Sequence, residues 1–170
     1  MENDSFQHPG DAGIRSLIDR WQQDQEFREN ISYWQVTAAR EPVSAPIPTS
    51  LDPRLNSALK TLGITQLYSH QAEAFERAHD GENLVIATGT ASGKTLCYNL
   101  PAVQQALSNP NARILYLFPT KALAQDQLIS LTELLKEVST QKPMTANIFD
   151  GDTPQHTRSA IRKQSVFLLT

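Results

Sequence analysis

Apolar positions Ile14, Leu17, Ile18 and Trp21 recur at helical spacing, which predicts an amphipathic helix over residues 14–25 with Trp21 as its anchor. Residues 1–12 are polar and read as a tail, and the prolines of residues 41–49 (EPVSAPIPT) read as an extended connector. A helix is signalled next: Asp52 can cap it, Pro53 suits its first turn, Leu51, Leu55, Leu59 and Leu62 share a face, and Gly63 ends it. A further helix is expected over residues 69–79, closed by Asp80-Gly81. From there apolar runs alternate with helical patterns. Strands are expected at 84–87, 114–118, 145–149 and 166–169, and helices at 93–107, 121–137 and 154–163. This alternation predicts an α/β fold, a parallel sheet with helices on both faces, whose ligands lie beyond the carboxyl ends of the strands. The expected organisation is an N-terminal extension and connector over residues 1–45, followed by one domain over residues 46–170.

Composition narrows the class. The chain has 170 residues, 39% hydrophobic and 19% charged, the profile of an ordinary globular domain. No apolar run is long enough for a membrane span, and the polar start lacks the core of a secretory signal. One cysteine, Cys97, leaves no internal disulfide, and the four histidines have no ligand-spaced partners, so no metal cluster is expected. A cytoplasmic location fits these features. The net charge of −3 excludes a strongly basic nucleic-acid binder. Residues 1–110 carry 8 basic and 13 acidic side chains, and residues 111–170 carry 7 and 5, so a polyanion contact is favoured in the second part.

The chemistry is expected at three strand ends. After the first strand stand Thr88, Gly89, Thr90, Ala91, Ser92, Gly93, Lys94 and Thr95, and a helix follows. Amides of such a turn converge on an anion, and the helix dipole adds about half a positive charge there. Gly93 lets the main chain approach a phosphate, Lys94 can reach the β/γ-phosphates, and the Thr95 hydroxyl can ligate Mg²⁺. Thr88 stands where the simplest phosphate-loop pattern asks for glycine. Gln71, 22 residues before Gly93, carries a donor and an acceptor suited to an adenine edge, and Tyr68 could pack on the base. The second strand ends in Pro119, Thr120 and Lys121, which suit a sugar-phosphate chain. The third ends in Gly151, Asp152 and Thr153, where Asp152 or Thr153 could cap the next helix while Gly151 and Thr153 touch a backbone phosphate. Each of the last two segments, taken alone, is better explained as a helix cap. Cys97 and Trp21 are expected to be packing residues.

Together these segments resemble the first motor domain of a superfamily two DEAD/DEAH-type helicase. Residues 67–71 resemble its Q motif, 88–95 motif I, 119–127 motif Ia and 151–154 motif Ib. TASGKTLCYNLP, LYSHQAEA, LFPTKALAQDQL and FDGDTPQHTR are similar to the MrfA/YprA-type DNA repair helicases. Thr88, Ala91, Ala122 and Asp126 stand where ordinary DEAD-box proteins have Ala, Gly, Glu and Gln, which favours the DNA-directed branch. The resemblance implies a RecA-like fold, ATP and Mg²⁺ as cofactors, single-stranded or partly duplex DNA as partner, 3′→5′ unwinding and a role in DNA repair. Such motors need a strand-borne Asp-Glu pair, the Asp holding Mg²⁺ and the Glu activating water. No Asp or Glu follows Asp152, so an N-terminal fragment, inactive alone, is expected. A competing possibility makes Asp150 the metal-binding strand end. Two other readings stay open: a phosphotransferase using the same loop, and a nucleotide- or DNA-binding remnant without turnover.

Overall fold

The chain divides into two compact units, one ending at Glu41 and one beginning at Pro42. The computed structural model describes residues 11–38, 41–89, 92–138 and 143–170. In the first unit, helix α1 (Asp11–Gln23) matches the expected amphipathic helix, and a short α2 (Gln25–Glu29) follows. Asp24 caps α2 through the Phe27 amide, and the Phe27 ring stacks on Trp21 with centroids 4.9 Å apart. Trp21 is therefore a packing residue, as its spacing suggested.

In the second unit the Pro-rich connector is partly ordered into a sheet. Strand β1 (Ser44–Ala45) pairs antiparallel with β2 (Leu67–Tyr68), directly before α4 (Ser69–His79). Helix α3 (Pro53–Thr61) forms as its signals require. The Asp52 carboxylate accepts from the Arg54 amide at 2.8 Å, Pro53 opens the first turn, and Gly63 leaves it at φ +78°. The Arg54 guanidinium on Asp52 holds that carboxyl below its ordinary range.

Helix α5 (Lys94–Ser108), strand β3 (Ile114–Tyr116), helix α6 (Lys121–Glu137), strand β4 (Ala146–Ile148), helix α7 (Gln155–Gln164) and strand β5 (Phe167–Leu169) complete the unit. The sheet is parallel, in the order β3-β5-β4, so the last strand lies in the middle. Its core is Leu55, Leu59, Phe75, Leu100, Val103, Leu131, Phe167 and Leu169, all essentially fully buried. Tyr116 joins α5 to the sheet by donating to Asn99 Oδ1 at 2.9 Å. Burial pushes the Tyr116 hydroxyl pKa up, since its anion has no water there. Cys97 is a buried core residue as expected, and burial likewise raises its thiol.

One expected strand is corrected. Residues 84–87 form no strand, and Val85 is 97% exposed. Apolar content alone does not make a strand: its amides and carbonyls need a neighbouring ladder. Among the described residues none pairs with this segment, and a groove of about 380 Å³ lies along it, bordered by His70, Glu73, Arg77 and Thr88. The expected α7 cap is corrected too. Pro154 occupies that position, without a side-chain cap from Asp152 or Thr153.

Candidate nucleotide and nucleic-acid site

The loop before α5 is shaped from outside. Its Gly93 has φ +73°, a left-handed conformation natural to glycine. The adjoining peptides are gripped by the first turn of α4. Gln71 Nε2 donates to the Gly93 carbonyl at 2.8 Å, and His70 Nε2 lies 2.9 Å from the Ser92 carbonyl. A carbonyl can only accept, so this ring nitrogen carries hydrogen. A Cβ at Gly93 would stand 2.5 Å from Gln71 Nε2, so the close approach also demands glycine. Gln71 is itself fixed, 4% exposed, its Oε1 accepting from the Tyr68 amide at 2.9 Å. Each end of this amide makes one hydrogen bond, which leaves a second N–H on Nε2 and a second lone pair on Oε1. Tyr68 is half exposed and stacks on His70, with ring centroids 5.7 Å apart.

Lys94 turns back into the loop. Its ammonium donates to the Thr88 carbonyl at 3.0 Å, to the Gly89 carbonyl and to Ser92 Oγ at 3.3 Å. The Thr88 and Ser92 hydroxyls lie 2.6 Å apart. A cation is thus enclosed by small polar groups at a helix N-terminus, which is the donor set a polyphosphate requires. Thr95 points elsewhere, toward α6: its hydroxyl donates to Gln127 Oε1 at 3.3 Å, and the Tyr98 hydroxyl donates to the same oxygen at 2.6 Å. With its proton directed at Gln127, the Thr95 oxygen keeps lone pairs for a cation. The donor set therefore fits a nucleotide with Mg²⁺. Thr90 and Ala91, also expected in the loop, lie outside the described residues.

The other two strand ends come together. Thr120 caps α6 by accepting from the Leu123 amide at 3.2 Å. Beside it, Lys121 forms an ion pair with Asp152 across the end of β5. The Asp152 hydrogen bond raises the Lys121 pKa. The ion pair joins the segment of Pro119, Thr120 and Lys121 to that of Gly151, and a Cβ on Gly151 would meet open space. Two expected contacts change role. The Asp152 amide donates to Asp150 Oδ1 at 2.9 Å and its carboxylate holds Lys121, leaving no donor for a phosphate. Thr153 is buried, its amide and hydroxyl both bonded to Asp150, at 3.0 and 3.2 Å. Asp150, the competing metal-binding candidate, has its carboxylate at the hub of this turn, and the described residues hold no group of three or more acidic, His or Cys side chains placed to hold a metal. Desolvation raises the Asp150 carboxyl, but the Asp152 amide, the Thr153 hydroxyl and Lys121 outweigh it, so the net shift is downward.

Four participants escaped the sequence reading: His70, Tyr98, Gln127 and Arg158. Arg158 donates from Nε to the Thr153 carbonyl at 2.9 Å and from Nη2 to the Asp150 carbonyl at 2.7 Å, while its guanidinium covers the Phe149 ring at 5.1 Å. A signal existed for Tyr98, which follows Thr95 by three residues and so shares its helix face. Gln127 and Arg158 lie within the quoted motif segments or at their end, but their roles need tertiary contacts.

The fold is α/β, with a glycine-containing loop opening α5 and the ends of β3, β4 and β5 beside it. Residues 68–170 match the DEAD/DEAH box helicase family, and the chain belongs to it. It is 43% identical over 147 residues to the ATP-dependent helicase YprA of Bacillus subtilis, covering 86% of this chain and 19% of that protein. It is 43% identical over 103 residues to the ATP-dependent helicase HRQ1 of Saccharomyces cerevisiae, covering 61% of this chain and 10% of that protein. The crystal structure of the DUF1998 helicase MrfA bound to DNA and AMPPNP superposes with a TM-score of 0.81 at 40% identity, over 92% of this chain and 21% of that one. These relatives bear out the resemblance to MrfA/YprA-type helicases and the RecA-like α/β fold. The chain spans about a fifth or less of their lengths. Among the described residues, no helix is long and apolar enough to cross a membrane.

Proposed function

We propose that this chain is the ATP-binding part of the first motor domain of a DNA helicase that unwinds 3′→5′ and acts in DNA repair. The observation that carries the nucleotide reading is the Lys94 ammonium enclosed by loop oxygens at the start of α5, beside a Gly93 that admits no side chain. Lys94, Ser92 and the amides opening α5 would hold the β/γ-phosphates, and Thr95, oriented by Gln127, would ligate Mg²⁺. Bound Mg²⁺ would neutralise charge on the phosphates. DNA is supported by the relative whose crystal structure contains it, and by the strand-end surface of Thr120, Lys121 and Gly151. That surface would take the sugar-phosphate chain, with Lys121 as its cation and Arg158 fixing the loop behind it. Polarity and the repair role follow from the likeness to MrfA/YprA-type helicases.

These 170 residues bind ATP without turning it over, because no strand-borne Asp-Glu pair is among them. The test is equilibrium binding of a fluorescent ATP analogue to the chain, with and without Mg²⁺, beside a turnover assay. Saturable, Mg²⁺-enhanced binding that Lys94→Ala abolishes is expected. In the full-length protein, the same substitution removes unwinding. Unwinding that survives Lys94→Ala overturns the reading.

A further inference from the structure

We propose that Gln127, braced by Tyr98, is a positioning residue that directs the Thr95 hydroxyl and so links Mg²⁺-nucleotide binding to helix α6, whose first turn carries Lys121 behind the Thr120 cap. The inference rests on the nucleotide and DNA readings above and deepens them. Thr95 and Tyr98 stand three residues apart on α5, so both hydroxyls leave the same face of that helix. They converge on one oxygen of α6: Gln127 Oε1 accepts from Tyr98 at 2.6 Å and from Thr95 at 3.3 Å. An amide oxygen has two lone pairs, and the two donors use both. A hydroxyl has one proton to give. With that proton committed to Gln127, the Thr95 lone pairs are left for a cation.

The brace is held from the core. The Tyr98 ring meets Tyr116 edge-on, with centroids 5.7 Å apart, and Tyr116 is itself buried and bonded to Asn99. A phenol fixed in this way restrains the Gln127 carboxamide from turning. Gln127 also lies two helical turns beyond Thr120, which caps α6, a rise of about 10 Å along one helix. The Thr95 contact and the strand-end residues Thr120 and Lys121 therefore belong to one rigid element. A ligand that settles either end of that element acts on the other, and such linkage is reciprocal.

The experiment is calorimetry of AMPPNP binding to the full-length protein, in Mg²⁺ and in EDTA, with and without a single-stranded oligonucleotide. Without DNA, the ratio of the Mg²⁺ and EDTA affinities reads the Thr95 end alone. Gln127→Leu removes the acceptor and is expected to cut that ratio about tenfold, the worth of one hydrogen bond. The gain in Mg²⁺-AMPPNP affinity that the oligonucleotide brings is expected to shrink severalfold in the same variant. Gln127→Glu keeps an acceptor oxygen and is expected to restore most of both. Tyr98→Phe keeps the ring against Tyr116 and removes the brace, with a loss of about threefold in the ratio, and it carries the test if Gln127→Leu does not fold. A merely structural Gln127 would lower affinity equally in Mg²⁺ and in EDTA, and that result overturns the proposal. An unchanged ratio in Gln127→Leu overturns it as well. A full DNA gain in Gln127→Leu, or no gain in the unsubstituted protein, overturns the link to α6. If the unsubstituted protein binds no AMPPNP, or binds it no better with Mg²⁺, the nucleotide reading itself is wrong and the inference falls with it.

Discussion

The loop before α5 and the turn at residues 150–153 draw differently on remote contacts. The turn at residues 150–153 is built mostly from its own neighbours, with the Lys121–Asp152 ion pair as its remote tie. Asp150 accepts from Asp152 and Thr153, two and three residues on, and Arg158 on the next helix returns to the Asp150 and Thr153 carbonyls. The loop before α5 is held by His70 and Gln71, whose contacts with it span 22 residues of sequence. A locally tied turn keeps its shape wherever its helix goes. A remotely clamped loop depends on how two helices sit against each other. The shape of the loop before α5 is thus linked to the α4–α5 packing more than that of the 150–153 turn is.

The glycines of the two loops break or sustain this contrast most sharply. Gly93→Ala places a Cβ 2.5 Å from an amide nitrogen fixed at both ends, at φ +73°. Left-handed strain of about 1–2 kcal/mol and a lost clamp of about 1 kcal/mol combine to roughly a hundredfold loss of nucleotide affinity. Gly151→Ala meets nothing within 4 Å and has no left-handed backbone, so stability should change by less than about 0.5 kcal/mol. Calorimetry and thermal melting on both variants check this. Equal tolerance at the two positions would mean that the clamp does not shape the loop.

Arg158 comes next. Its fork joins two carbonyls of the local turn and covers Phe149, and no lysine reproduces that geometry. Arg158→Ala is expected to lower single-stranded DNA affinity about tenfold, with ATP binding unchanged, because a charged hydrogen bond contributes about 1.5–3 kcal/mol. Arg158→Lys should recover little. Fluorescence anisotropy with labelled DNA, run beside nucleotide titration, separates the two loops. Parallel losses of ATP and DNA binding would contradict their independence.

The same contrast explains what could be read beforehand. Helices α3, α4 and α6 were legible because their caps and apolar spacing are local: Asp52, Pro53 and Gly63 bracket α3 without outside help. The loop before α5 was legible as a turn opening a helix, since Gly93, Lys94 and Thr95 stand between an apolar run and a helical pattern. Its mode of support was not, because a hydrogen bond from His70 to Ser92 leaves no trace in spacing. The segment at 84–87 looked like a strand because its residues are apolar, but strand formation is a property of pairs. Asp152 and Thr153 were read as phosphate contacts or helix caps, whereas both donate inward to Asp150.

Acid sharpens the comparison further. Asp150 has a lowered pKa in the folded chain, so its ionised carboxylate contributes stability in full above its ordinary value of 3.8. That contribution is lost as pH falls through the lowered folded value. Hydrogen bonds to the described part of the nucleotide loop involve no carboxylate. In an NMR titration, the Asp152 and Thr153 amides should therefore shift with a midpoint below 3.8. A midpoint at or above that value would remove Asp150 as the hub of the turn.

The smallest effect has the most telling sign. Lys121 and Asp152 are exposed, with side chains 57% and 78% accessible, so solvent screens their ion pair and it adds little to stability. Toward DNA the two residues act oppositely. Lys121 is a cation at the strand end, and Asp152 both engages it and adds a negative charge where a phosphate would lie. Lys121→Ala should weaken DNA binding a few-fold and reduce the slope of log affinity against log salt by about one. Asp152→Asn frees Lys121 and should strengthen binding slightly, with a steeper salt slope. Its carboxamide leaves the backbone amide on Asp150 in place, so the turn is retained. If Asp152→Asn weakens DNA binding as much as Lys121→Ala does, the pair itself holds the two strand ends in register, and the surface is less independent of its packing than the local ties of Asp150 imply.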